Sequence, residues 1–177
     1  MNKKRAILVV DVLIGIFQLP VEVFRKDSFL ANMGKLLEKA RNSEVPIIYV
    51  RHCGPKGTPF EKGQPGWEFH PGITPKNNDI IVEKTNPDSF QETNLEKILK
   101  ESEIEELIIC GFASEACVDT TVRSAYSKGY SVILISDCHT TTDSEVLGAQ
   151  QIVDHHNNVL CKFAKVQSLD KTDLKSL

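Results

Sequence analysis

A cysteine at the head of a helix, an aspartate closing one apolar strand and a lysine closing another are the residues of this chain best placed to do chemistry. The stretch Gly111-Phe112-Ala113-Ser114-Glu115-Ala116-Cys117 joins a short apolar run to a helical one. With Ser114 as N-cap, Cys117 falls at N3, in the first helical turn. There, unpaired backbone N–H groups and the positive end of the helix dipole lower a thiol pKa and favour the nucleophilic thiolate. Iodoacetamide is then expected to label Cys117 well below pH 8. The same N–H groups suit the oxyanion that forms when sulfur attacks a carbonyl. The plain alternative is a structural cysteine buried against a sheet.

Asp11 ends the run AILVV, where an unpaired charge is costly. It suits a general base that takes the thiol proton and later returns it to a leaving amine. Lys84 ends the run of residues 80–83 and can pair with Asp11, hold it ionised and favour a developing thiolate. Together they have the logic of an activated nucleophile. An inert buried ion pair beside a bystander cysteine has the same spacing.

The elements that must position these groups follow from hydrophobic periodicity. Apolar runs at residues 6–10, 47–50, 80–83, 107–110, 132–135 and 159–161 read as six short strands. Helical stretches over about residues 28–44, 95–101, 115–128 and 144–155 lie between them, the third ended by Gly129. Alternating short strands and helices predict a three-layer α/β/α fold with a doubly wound, mostly parallel six-stranded sheet of Rossmann-like type. Ligands of such sheets sit beyond the carboxyl ends of the strands, where Asp11, Lys84 and Cys117 are expected. Residues 52–78 hold five of the eight prolines and read as a long functional loop. Residues 1–167 are expected to form one domain, with 168–177 a polar, fraying tail.

Composition narrows the function. The 177 residues are 41% hydrophobic and 25% charged, ordinary for a globular chain with its own core. A formal net charge of -3 lacks the basic footprint of a nucleic-acid binder. No apolar run approaches the ~20 residues of a spanning helix, and Asp11 interrupts what otherwise imitates a signal peptide. Five widely spaced cysteines without a C-x-x-C pair fit free thiols in a reducing, cytoplasmic setting.

The motifs ILVVD ending at Asp11, Lys84 followed by Ser89-Phe90, and GFASEACVDTTVRSAYSKGYSV over residues 111–132 resemble the isochorismatase-like cysteine hydrolases, which include nicotinamidases and carbamoylsarcosine hydrolases. The resemblance runs from about residue 6 to 160. It implies the isochorismatase-like fold, an Asp–Lys–Cys triad at Asp11, Lys84 and Cys117, and a cis peptide between Phe112 and Ala113. It also implies an oxyanion hole from the N–H groups of Ala113 and Cys117, a thioester intermediate, and a homodimer or homotetramer. The expected activity is hydrolysis of a C–N amide or ureido bond in a small molecule.

Departures from the family pattern mark the pocket. Family members often continue the first strand as Asp-Val-Gln-Asn-Gly-Phe, whereas this chain reads Asp11-Val12-Leu13-Ile14-Gly15-Ile16-Phe17. Ile16, Phe17, His52, Trp67 and His70 are expected to line the substrate pocket, Trp67 as wall or lid anchor. Nicotinamidases carry an Asp-x-His after strand two to bind a divalent metal. Here the chain reads Arg51-His52-Cys53, so His52 and His70 lack a third ligand and no cofactor is expected. His139, before three threonines, reads as part of a cap and turn or as the rim of the site. His155 and His156 read as favourable charge at a helix C-terminus. The alternative activities are an isochorismate-type vinyl-ether hydrolase, a non-catalytic binding or oligomerisation module, and a redox sensor using Cys117.

Overall fold

In the strand β1 (Arg5–Val10) both faces are apolar: Ile7 and Val9 enter one core cluster, Ala6, Leu8 and Val10 the other. Successive strand side chains leave opposite faces, so such a strand needs cover on both sides. The computed structural model, which describes residues 3–174, supplies that cover. After β1 come α1 (Lys26–Asn42), β2 (Ile47–His52), β3 (Ile80–Lys84), α2 (Leu95–Glu101), β4 (Glu106–Phe112), α3 (Asp119–Ser127), β5 (Ser131–Thr140), α4 (Ala149–Leu160) and β6 (Lys165–Gln167). The strands form one sheet in the order β3-β2-β1-β4-β5-β6, all parallel. On one face α1 packs Phe29, Met33 and Leu36 against Ile7 and Val9. On the other, Leu95 and Leu99 of α2, Val122 and Ala125 of α3 and Leu160 of α4 pack on Ala6, Leu8 and Val10. This is the three-layer, doubly wound architecture that the periodicity implies.

The strand order reverses between β1 and β4, which makes the gap beyond their carboxyl ends the topological switch point of the sheet. The two strands approach closely there. Gly111 pairs with Val10 at φ +132°, and a Cβ on it would stand 2.0 Å from the Val10 carbonyl oxygen. Only glycine fits that approach.

The C-terminal third departs from the sequence reading. Residues 159–161 do not form the last strand: Val159 and Leu160 complete α4, and β6 is the polar segment Lys165–Gln167. A three-residue apolar run fits a helix end as well as a strand, and the burial of Leu160 in the core decides between them. The helix α4 starts at Ala149 rather than 144 because the preceding polar side chains build a turn. Asp143 Oδ1 accepts the Ala149 N–H at 2.7 Å, and Ser144 Oγ accepts that of Leu147 at 2.9 Å. Residues 168–174 are no fraying tail. Leu169 and Leu174 join the α1-side core, and Asp137 Oδ1 accepts the Leu169 N–H at 2.8 Å. Residues 175–177 of the expected tail lie outside the described residues.

The long segment after β2 is stitched to the chain leaving β1. Ile14 donates to the Glu68 carbonyl at 2.8 Å, and His70 to that of Val12 at 3.0 Å. Two short 3₁₀ turns, Pro65–Trp67 and Pro71–Ile73, give it internal structure.

Candidate active site

Each of the three chemistry-bearing side chains enters from the end of an element. Asp11 follows β1 with φ +51°, a left-handed conformation that turns the chain as it leaves the sheet. Lys84 is the last residue of β3. Cys117 lies in a π-helical turn, Ser114–Val118, between β4 and α3. Lys84 Nζ joins them: it lies 2.7 Å from Asp11 Oδ2 and donates to Cys117 Sγ at 3.2 Å. Two further donations, to the carbonyls of Asn86 at 3.0 Å and Pro87 at 3.2 Å, complete its surroundings. The Lys84 side chain is fully buried and that of Asp11 nearly so, while Cys117 retains some exposure. Asp11 Oδ1 is buried with no hydrogen-bond partner. The Phe112–Ala113 peptide is cis.

The electrostatics correct the helix-dipole reading of the thiol. Burial, reinforced by the negative charge of Asp11, pushes the Cys117 thiol up to about 12, and Lys84 offsets only part of this. The resting sulfur is therefore protonated at neutral pH, and facile labelling below pH 8 is not expected. Burial opposes the charge on Lys84, but Asp11 and Cys117 outweigh it and leave its pKa raised.

Ser114 is not an N-cap either. The cap position is Ala113, whose carbonyl accepts from the N–H groups of Ala116 and Val118, both at 3.1 Å. Ser114 Oγ instead meets His139 Nδ1 at 2.8 Å. His139 is no rim residue: it is 4% exposed on β5, and its Nε2 lies 3.0 Å from Asn157 Oδ1.

The expected pocket residues separate into two groups. His52 stands at the end of β2 in register with Lys84, its Nδ1 buried without a partner. Burial holds it below the usual histidine value, with Asp11 pulling it up and Lys84 pushing it down, which places it beside the pair. Phe17 and His70 pack together with ring centroids 4.7 Å apart. By contrast, Ile16 is 3% exposed and belongs to the α1-side core, so its side chain holds the loop rather than facing a ligand. Trp67 is the anchor of the long loop rather than an open wall. The Arg51 guanidinium lies 3.3 Å from its ring centroid, and its Nε1–H donates to Cys53 Sγ at 3.2 Å.

The sequence reading did not find the two carbonyls holding Lys84. Nor did it find the tie between Ser89 and α3, in which Ser89 N–H donates to Thr121 Oγ1 at 3.2 Å and the two hydroxyls meet at 2.8 Å. That tie binds the segment carrying Asn86 and Pro87 to the helix behind Cys117. The Ser89-Phe90 pair after Lys84 was its only signal.

A family model described as the isochorismatase domain matches residues 5–164. The chain belongs to the isochorismatase family. A secreted isochorismatase effector of Verticillium dahliae is 36% identical over 69% of the chain and 65% of its own length. A streptothricin hydrolase of Streptomyces noursei is 34% identical over 78% of the chain and 55% of its own length. The chain thus spans between half and two thirds of these curated relatives. Among solved structures, an isochorismatase from Pseudomonas putida superposes with a TM-score of 0.90 at 32% identity, covering 96% of this chain and 90% of the other. An N-carbamoylsarcosine amidase from Thermoplasma acidophilum shares the fold, with a TM-score of 0.80 at 24% identity over 96% of this chain and 99% of that one.

Family members with a divalent metal need a donor set that these residues do not fit. Arg51 is committed to Trp67 and to Glu83, 3.0 Å away. His70 Nδ1 accepts the Gly72 N–H at 3.2 Å. Among the described residues no three His, Cys, Asp or Glu side chains gather as a metal site requires. His156 Nδ1–H is turned back to the Ile152 carbonyl at 2.8 Å and the Cys161 thiol to that of Asn158, so these side chains face no common point. Among the described residues no helix is long and apolar enough to cross a membrane.

Proposed function

We propose that this chain is a cysteine hydrolase that cleaves a C–N amide or ureido bond of a small molecule, without a metal. The observation that carries the reading is Lys84 Nζ lying within 2.7 Å of Asp11 Oδ2 and 3.2 Å of Cys117 Sγ beyond the sheet's switch point. Cys117 Sγ attacks the carbonyl carbon while its proton passes to the carboxylate of Asp11. The N–H groups of Ala113 and Cys117 hold the resulting oxyanion. As the tetrahedral adduct collapses, the C–N bond breaks and Asp11 protonates the departing amine. Water, deprotonated by Asp11, then hydrolyses the thioester, releasing the acid and restoring the thiol. Lys84 stabilises the carboxylate and the developing charge on sulfur throughout. His52, Phe17 and His70 face the bound molecule.

The relative named streptothricin hydrolase supports a hydrolytic reading at the level of the family. The five free cysteines support a reducing, cytoplasmic setting. A homodimer or homotetramer is read as the assembly, as the family resemblance implies. Neither nucleic acid nor membrane is read as a partner. The test is ammonia or amine release from a panel of small amides and ureido compounds by the wild type and Cys117→Ala. Turnover is expected only in the wild type, with both proteins giving the same circular dichroism. Hydrolysis of the same compound by Cys117→Ala at the parental rate refutes the mechanism.

A further inference from the structure

Behind the nucleophile turn lies a chain of polar groups, Ser114 and His139 buried and Asn157 half-buried, that the proposed chemistry does not use. Asn157 Nδ2 on α4 donates to the Ser136 carbonyl at 3.3 Å, which leaves its Oδ1 facing His139 Nε2 at 3.0 Å. A carbonyl oxygen only accepts, so Nε2 must carry the hydrogen. In a neutral imidazole the other nitrogen is then an acceptor. The group facing it at 2.8 Å is the Ser114 hydroxyl, which must donate. Each hydrogen in this chain therefore has one consistent place. Burial keeps the ring neutral, pushing the His139 pKa down to about 4. Ser114 has no exposure at all.

The turn so tethered needs an outside hold. Its Ala113 carbonyl is shared between an i+3 and an i+5 donor, the wide geometry of a π turn, a rare conformation found frequently at functional sites. A second tether runs from the same end of β5, where Thr141 Oγ1 donates to Glu115 Oε1 at 2.8 Å. Consecutive residues of the turn are thus pinned to β5 and to the residue that follows it, and through Asn157 to α4.

We propose that His139 and Ser114 are positioning residues: the Ser114–His139–Asn157 chain holds the turn so that the N–H groups of Ala113 and Cys117 stay aimed at the oxyanion. This rests on the cysteine-hydrolase reading. The chain acts on attack at a carbonyl, which builds an oxyanion, and leaves alkylation of the sulfur, which builds none, unaffected.

Two probes separate these reactions without knowledge of the natural substrate. In acylation by p-nitrophenyl acetate, an S–C bond forms, the C–O bond breaks, and the thiol proton leaves by way of Asp11 to the p-nitrophenolate. Iodoacetamide alkylates the same sulfur by displacement of iodide. Acylation is read as p-nitrophenolate release above that of Cys117→Ala, and alkylation as mass gain at Cys117, on the wild type, His139→Leu, His139→Asn and Ser114→Ala. His139→Leu is expected to lose about tenfold or more in acylation with alkylation unchanged. His139→Asn, whose Oδ1 can still accept from Ser114, recovers most of the loss. Ser114→Ala cuts the same bond with a smaller substitution and is expected to match His139→Leu. Acylation retained in both of those variants, or acylation and alkylation falling together in both, overturns the proposal while leaving the hydrolase reading intact. A wild type that releases p-nitrophenolate no faster than Cys117→Ala overturns the hydrolase reading, and the proposal with it.

Discussion

Replacing Lys84 by methionine isolates what holds the centre together. Methionine keeps most of the buried stem and removes the ammonium with its four contacts at 2.7–3.2 Å. The Asp11 carboxylate, with 6% of its side chain exposed, is left without its cation. Breaking a buried pair from one side costs about 3–5 kcal/mol, because the remaining charge is neither solvated nor compensated. For a domain of this size each kcal/mol is worth about 2–4 °C, so Tm falls by roughly 6–20 °C. Asp11→Asn in the same background removes the stranded charge, so the double variant is expected to lose about 2 kcal/mol less than the sum of the singles. Urea unfolding of the four proteins, followed by far-UV circular dichroism at pH 7, measures the cycle. The raised pKa of Lys84 sets the pH dependence. Its contribution is complete below the ordinary lysine value and lost only as pH climbs through the higher folded one, so the gap between wild type and Lys84→Met is the same at pH 7 and pH 9. A Lys84→Met protein within 1 kcal/mol of the wild type, or strictly additive losses, refutes the account of the pair.

Two further outcomes rest on other parts of the site. With the thiol pushed up to about 12, alkylation of Cys117 by iodoacetamide, followed by peptide mass spectrometry, should climb about tenfold per pH unit from neutrality upward; a plateau near pH 7 contradicts it. Gly111→Ala places a Cβ 2.0 Å from the Val10 carbonyl oxygen at φ +132° and is expected to cost more than about 4 kcal/mol, so a soluble variant with the parental Tm contradicts the close approach of β1 and β4.

What was legible in the sequence follows from where the determining contacts lie. The runs that became β1 to β5 are set off by polar, proline or glycine residues, and all but the partly exposed β3 are buried by their own composition, so a mostly parallel sheet could be read. Asp11 and Lys84 are placed by the ends of their strands, and Cys117 by the turn after β4. The polar strand β6 carries no apolar run and exists because β5 offers an edge to Lys165–Gln167. Ser114 satisfies every local rule for an N-cap, yet a partner 25 positions away, His139, takes its hydroxyl. The ties between Ser89 and Thr121 span 32 positions and were equally invisible. Local propensity lost wherever a buried polar group found a distant partner.

The thiol shows the same competition with a chemical consequence. A local argument from the helix terminus predicts a lowered pKa, but desolvation and the Asp11 charge act together against Lys84 and win. A thiol pushed well above its ordinary value is a costly place to form a free thiolate at neutral pH. A site that waited for that species would carry the whole cost before any bond formed. Asp11 offers a different route, because its buried carboxylate, paired with Lys84, faces the thiol. The proton can leave sulfur for that carboxylate as the S–C bond forms, so negative charge moves from carboxylate to oxyanion without resting on sulfur. The burial that suppresses the free thiolate thus favours attack only when a carbonyl is in place to receive the charge. It also spares the cysteine from the oxidants and alkylating agents that a standing thiolate would meet.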